Sequence, residues 1–456
     1  MQENAAFHKN AFLGLTLPEW VYVLFCFGLY FACSMTFIEN AVSYGPDEGE
    51  RLLVPAYIAE YCAIPTGEEA YFSNDVWGFS YALQMKLPYL IGGLNMWIAQ
   101  IIGGGIGLLA AARLVSCLSM AGVAFYAVRL TKRGIASPCR WIWIILLTLT
   151  PQSLFLGTYF NLDAYSLFAV LMIVDGWAEG VRSRWSVKSC AYLGLSMGLC
   201  VLGYEYAYGF LAASVLLYVG WYLLHRREQS FRRFFGRGCC IAAVFLLVCG
   251  WYFLRNYLLY EGDIFAYRIQ NVYAEQFARA ELKPSQRNTL QRQGLSILGM
   301  LLHTNWLEDT LKSAFGVLGC MSISLPAWTY VVHYLFLLSG VVAFGALRSK
   351  KIALCERDGE RRLFATALLL GAAINVGLSL YASWARDYQP QGRYVIYAFL
   401  PVFLATAAGW QRLTERLASL LKRNPTSLQR GLTVALLLFL ATADGIGFVR
   451  LLKLRF

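Results

Sequence analysis

The feature that most limits what this chain can become is the recurrence of apolar runs about as long as a bilayer core is thick, roughly 20 residues each. Read against the basic residues that punctuate them, the runs give candidate spans at 18–38, 87–106, 107–129, 141–160, 164–181, 189–204, 208–224, 239–258, 327–347, 363–384, 394–410 and 431–449. About eleven of these are expected to cross, with one re-entrant or interfacial. Composition agrees: 58% of the 456 residues are hydrophobic and 14% charged, which excludes both a soluble domain and a disordered chain. The fold class expected is an all-α polytopic membrane protein, one transmembrane domain over 1–456 with no separate soluble domain. The net charge of +12 is then a statement about topology, and no nucleic-acid partner is implied.

The weakest span is 87–106, which carries Gly92, Gly93, Gly103, Gly104 and Gly105. If it does not cross, the basic clusters Lys132/Arg133/Arg140, Arg182/Arg184/Lys188, Arg226/Arg227/Arg232/Arg233/Arg237, Arg348/Lys350/Lys351/Arg361/Arg362 and Arg412/Arg416/Lys422/Arg423/Arg430 fall on one side. The positive-inside bias makes that side the cytoplasm. The opposite side receives the first loop, 39–86, where Glu39, Asp47, Glu48, Glu50, Glu60, Glu68, Glu69 and Asp75 face only Arg51 and Lys86. It also receives 259–326, and outer loops of such length tend to carry function.

The first apolar run, near 20–38, is of full spanning length without a cleavage-site pattern, so it is expected to remain as the first helix. With no Asn-x-Ser/Thr sequon, a bacterial inner membrane is the expected location. Cys26, Cys33, Cys117, Cys200, Cys239, Cys240 and Cys249 lie in apolar runs without a CxxC pair and read as small core hydrophobes. No Walker motif or GxGxxG fingerprint is present, which argues against an ATP-driven pump.

Five polar groups mark the outer ends of spans. In "SYGPDEGER" (43–51), Pro46 suits a first helical turn, and Asp47 and Glu48 would be stabilised there by the helix dipole, unless they are only a capping acidic cluster. A short interfacial helix should follow, with Pro55 as an interruption. Asn161 and Asp163 read as a helix cap or as polar lining. Arg255, beside Asn256, either snorkels to the interface or grips a phosphate. The stretch Phe315–Met321 with Leu325–Tyr330 is explained by an aromatic belt at Trp328 and Tyr330. Arg386 and Arg393, with Asp387 and Tyr394, place two arginines against the charge bias, which anion binding explains and an Arg386–Asp387 pair would partly explain. Carboxylates from one loop and arginines from two others suit general-base catalysis on a hydroxyl beside an anionic leaving group.

These segments, "GPDEGE", "YFNLDAYS" (159–166), "WYFLRNYLLYEGD" (251–263), "FGVLGCMSISLPAWTY" (315–330) and "QPQGRYVIYAFLP" (389–401), resemble in order and spacing the GT-C superfamily of integral-membrane glycosyltransferases. The resemblance is in particular to a bacterial branch catalogued only as a domain of unknown function. The resemblance implies a GT-C-like bundle with interfacial helices in the first outer loop. It also implies sugar transfer from a polyprenyl-phosphate donor to an envelope glycan, lipid or protein acceptor outside the membrane, by an inverting displacement.

Carried onto this sequence, the resemblance makes Asp47 the catalytic base, with Glu48 as neighbour and substitute. Arg255 and Arg393, supported by Asn256 and Tyr394, would hold the donor phosphate, and Asn161 and Asp163 would line the cavity. No metal is required if arginines supply the positive charge, and no His/Cys/Asp cluster has ligand spacing. Two positions depart from the pattern: Arg51 replaces a frequent histidine, and Glu205 stands where many relatives carry a lysine. Both are counted, with Arg386, among the cavity-lining residues. The competing readings are a transporter or flippase of a lipid-linked saccharide, and an envelope polymerase or ligase with a lipid-diphosphate donor. A transporter would place its ionisable groups nearer the midplane.

Overall fold

A computed structural model describes residues 13–36, 45–72, 74, 76–103, 107–134, 139–347 and 357–453. Ser43, Tyr44, Glu39, Asp75, Gly104, Gly105, Arg348, Lys350 and Lys351, singled out above, lie outside these residues, and so does the side chain of Arg133. The helices are α1 Leu17–Thr36, α2 Glu48–Tyr61, α3 Leu87–Ile102, α4 Leu108–Gly134, α5 Arg140–Thr148, α6 Pro151–Leu156, α7 Asp163–Arg182, α8 Val187–Val201 and α9 Gly209–Leu224. They continue as α10 Phe231–Leu259, α11 Tyr267–Phe277, α12 Ile297–His303, α13 Trp306–Gly316, α14 Ala327–Ala346, α15 Asp358–Ala385, α16 Phe399–Leu421 and α17 Pro425–Lys453. A two-residue antiparallel hairpin, β1 Val317–Leu318 with β2 Ile323–Ser324, joins α13 to α14.

Among the described residues nine helical segments are long and apolar enough to cross a membrane, and α3 and α8 are shorter apolar helices. The protein is a multi-pass membrane protein. Helix α7 lies at the centre, its apolar window 89% buried, while those of α10 and α17 are only 17% and 22% buried and face outward. Without water to drive them together, such helices depend on close fit. The crossing of α14 and α16 shows it: a Cβ on Gly409 would lie 1.7 Å from the Gly340 carbonyl oxygen.

The expected span 141–160 is two helices, not one. It breaks at Leu149–Thr150, and Pro151 opens α6, where a missing N–H costs nothing. Conversely, Pro55 does not end α2, which runs through it for 14 residues. Helix α8, read from the sequence as a full span, has 15 residues.

The ends of the helices sort into two sets. At one end Lys132 and Arg140 pair with Glu19, Arg237 donates to the Arg184 carbonyl, Arg357 pairs with Glu228 and Arg412 donates to the carbonyls of Phe344 and Leu347. At the other, the Leu87 amide donates to the Leu202 carbonyl, Arg113 reaches the Ser34 carbonyl, and Asp47 meets Arg393.

Helix α3 starts beside Leu202, its Asn95 side chain donates to the Ala111 carbonyl, and α4 begins near that same end. At 16 residues it is about 24 Å long against a core of about 30 Å. Both its ends therefore serve one end of the bundle. The charge separation has an exception: Arg268, Arg279, Lys283, Arg287 and Arg292 lie in the segment after α10, at the Asp47 end.

Candidate active site

The first loop is fixed before Asp47 is presented. Glu48 and Arg113 are both fully buried; Glu48 Oε1 accepts from Arg113 Nε at 2.8 Å and from the Phe160 amide at 2.7 Å, and Oε2 from Arg113 Nη2 at 2.8 Å. Its carboxylate is thus engaged with α4 and with the segment before α7. The expected role of Glu48 as a second base has no geometric counterpart here. Gly45 completes the anchor, since a Cβ there would lie 2.2 Å from the Tyr159 ring.

Asp47 follows in left-handed backbone, φ 61° and ψ 9°, as the residue preceding α2. The expectation that its carboxylate would rest on the helix N-terminus is corrected: among the described residues it makes no capping bond. Instead Oδ2 accepts from Arg393 Nη2 at 3.0 Å, and Arg51 Nη2 stands 3.8 Å away. The side chain remains 38% exposed. Partial burial pushes its pKa up, but Arg393 and then Arg51 outweigh that and hold it below the usual aspartate value.

Arg393 is delivered by a 3-10 turn, Gly392–Ala398, pressed so closely on α13 that a Cβ on Gly392 would lie 2.0 Å from the Ala314 nitrogen. Its guanidinium is 3% exposed. Nε donates to Gln391 Oε1 at 2.6 Å, Nη2 to the Tyr394 hydroxyl at 2.8 Å, and Nη1 lies 4.0 Å from Asp163 Oδ2. The Tyr394 hydroxyl in turn donates to Gln389. Arg51, 2% exposed, lies 4.4 Å over the Tyr81 ring and 5.5 Å over that of Tyr204, with Nη1 at 3.4 Å from the Tyr89 hydroxyl. Asp47, Arg51, Asp163, Arg393 and Tyr394 thus converge.

The other sequence candidates are placed differently. Arg255 and Asn256 do not join this cluster. Arg255 donates to the Pro65 carbonyl, the Tyr260 hydroxyl and Asn256 Oδ1, and Asn256 donates to the Ile264 carbonyl. They bind the first loop to the end of α10, so the expected pairing of Arg255 with Arg393 around one anion is not the arrangement found.

Asn161 is a local staple, fully buried, accepting from the Ala164 amide and donating to the carbonyls of Leu156 and Tyr159. Of its two sequence readings, the cap is the one its contacts fit. Glu205 accepts from the Tyr267 hydroxyl at 2.8 Å and lies 3.8 Å from Arg386, on the rim where Tyr204 and Tyr206 pack against Tyr394.

Sequence reasoning passed over two residues. Arg113 interrupts an apolar run, and an ionisable group there demands a partner, which was the available signal. Lys86, only 3% exposed, donates to the Tyr208 hydroxyl at 3.1 Å and sits 4.3 Å over the Tyr252 ring, a buried cation whose contacts are hydroxyl, carbonyl and aromatic. Nothing in its loop sequence foretold the burial. Among the described residues no three His, Cys, Asp or Glu side chains gather as a metal group; the positive charge beside Asp47 is guanidinium.

No known family profile matches the sequence, and no curated protein matches it. Solved structures do match the fold. ArnT from Cupriavidus metallidurans, solved bound to undecaprenyl phosphate, is 15% identical with a TM-score of 0.51, over 97% of this chain and 73% of that one. An oligosaccharyltransferase of Archaeoglobus fulgidus, in complex with Zn and sulfate, is 14% identical with a TM-score of 0.52, over 92% of this chain and 53% of that one, so this chain spans about half its length. The all-α polytopic fold expected from the sequence is the fold observed, and it is shared with these two solved structures.

Proposed function

We propose that the protein transfers a sugar from a polyprenyl-phosphate-linked donor to a cell-envelope glycan, lipid or protein, working in a bacterial inner membrane with its site facing outward. The observation that carries this reading is the Asp47–Arg393 pair: a partly exposed carboxylate and a buried guanidinium at one end of a fold shared with a lipid-phosphate-bound ArnT. Asp47 accepts the proton of an acceptor hydroxyl as that oxygen attacks the anomeric carbon. Arg393, steadied by Gln391 and Tyr394, takes the negative charge that develops on the departing lipid phosphate. A single displacement of this kind inverts the anomeric centre. Lys86 and Arg51 add positive charge within the same end of the bundle. The first loop and the segment after α10 form the active-site face of one transmembrane unit.

The test is transfer in liposomes supplied with defined polyprenyl-phosphate sugars. Wild type should yield a glycosidic product and free polyprenyl phosphate, and Asp47→Asn should lose activity by roughly 10²–10⁴-fold, the usual worth of a positioned base. Full activity in that variant would exclude Asp47 as base. Lipid translocation without any glycosidic product would replace the transferase by a transporter.

A further inference from the structure

Two guanidinium groups address one oxygen. Asp47 Oδ2 lies 3.0 Å from Arg393 and 3.8 Å from Arg51, and the other arm of Arg393 lies 4.0 Å from Asp163. Two carboxylates and two guanidiniums make the group neutral. It is also incompletely satisfied: among the described residues Arg51 Nε and both carboxylate oxygens of Asp163 have no hydrogen-bond partner, although the two side chains are 2% and 1% exposed. Buried polar atoms of that kind are costly and point to groups that arrive: an anion for the Arg51 N–H, and a hydroxyl-bearing group such as the donor's sugar for the Asp163 oxygens. Among the described residues the other titratable groups facing the cluster are hydroxyls, those of Tyr81, Tyr89, Tyr159, Tyr204, Tyr206, Tyr394 and Tyr397, and the Cys320 thiol, while the adjacent Glu48 carboxylate is taken by Arg113. No carboxylate among them would take over the arginines.

We propose that this cluster is a latch: without donor, Arg393 and Arg51 hold Asp47 as an ion-pair partner, and the phosphate of the lipid donor frees it by taking over the guanidinium groups. The inference rests on the reading of the site as a lipid-phosphate-sugar transferase. A carboxylate oxygen that accepts from one guanidinium and lies within ion-pair reach of a second is a weak base, so proton abstraction waits for the donor, and donor binds before acceptor.

The cycle balances. The acceptor hydroxyl gives its proton to Asp47, its oxygen bonds to the anomeric carbon, and the bond from that carbon to the phosphate oxygen breaks with the electron pair on phosphate. The product phosphomonoester, now carrying the greater charge, stays on the guanidiniums while the proton stays on Asp47. Above its second pKa of about 6, where it binds as the dianion, polyprenyl phosphate therefore competes with ionised Asp47 for the same cations, and its binding takes up a proton.

The experiment is calorimetric titration of the protein in nanodiscs with a C15 polyprenyl phosphate, in two buffers of different ionisation heat. Wild type should bind with proton uptake. Asp47→Asn should bind about tenfold more tightly, the size of one charge-assisted hydrogen bond, and without uptake. The gain should shrink in the Arg51→Gln background, where half the latch is gone; simple charge repulsion between Asp47 and phosphate would leave it unchanged. Equal or weaker binding by Asp47→Asn overturns the latch, as does a gain unaffected by Arg51→Gln. So does binding to wild type without proton uptake, a readout that needs no variant to fold. Failure of wild type to bind the phosphate overturns the donor reading itself, which separates the two failures.

Discussion

Asp47 occupies a position from which an aspartate ordinarily caps its own helix, yet its side chain turns away from α2 toward Arg393. The left-handed backbone that turns it is rare outside glycine, asparagine and aspartate, and it persists because Gly45 and Glu48 on either side are pinned. Its depressed pKa sets the sign of a pH effect. The ionised, proton-accepting form exists above that pKa, so activity is lost as pH falls through a value below the ordinary aspartate range. The acid limb of kcat/KM for the donor, which reports the free enzyme, should lie there; a limb near 6 would contradict the arginine environment.

At this scale the sequence showed which residue types gather near Asp47 but not who holds whom. Glu48 was legible as an acid and not as the partner of Arg113, 65 positions away, because nothing local encodes such a pair. The tyrosines around Arg51 carried no signal at all, being ordinary aromatics until the chain folds.

Among the elements, α2 is what the site depends on, and it is held from several directions. Arg113 of α4 grips its first turn, Gly92 and Gly93 of α3 let Pro55 and Ile58 approach, and Arg255 and Tyr260 at the end of α10 hold the loop after it by the carbonyls of Pro65 and Thr66. Arg255→Ala should therefore act on stability. Hydrogen bonds from a charged donor are worth about 1.5–3 kcal/mol, so the midpoint of thermal unfolding should fall, while affinity for polyprenyl phosphate should change far less than in Arg393→Ala. Comparable losses of affinity in the two variants would restore Arg255 to the phosphate.

Element positions were largely legible, because apolar length is a local property; each of the twelve candidate runs overlaps a helix among the described residues. What escaped was how α5 and α6 divide one run and how α2 survives its proline. Those outcomes depend on neighbours, which a window along the chain does not see.

For the whole molecule, the separation of basic and acidic helix ends favours an orientation with Asp47 outside. Cys62, exposed at the end of α2, reports it directly. A membrane-impermeant maleimide should label Cys62 in intact spheroplasts, and labelling only after the membrane is opened would invert the topology. The bases after α10 show why the rule is read from short connections: a long segment carries its own charges for its own reasons.

The neutrality of the Asp47 cluster has a bearing on selectivity. A bilayer surface is crowded with anionic headgroups, and a bare pair of arginines would attract all of them, since an uncompensated charge acts over roughly a Debye length, about 8 Å at physiological salt. Paired with Asp47 and Asp163, the two guanidiniums cancel at a distance and are felt only on contact. In the proposed transferase, ordinary phospholipids would then find little to draw them in, and discrimination would fall to whatever the rest of the donor, its chain and its sugar, adds once it has arrived.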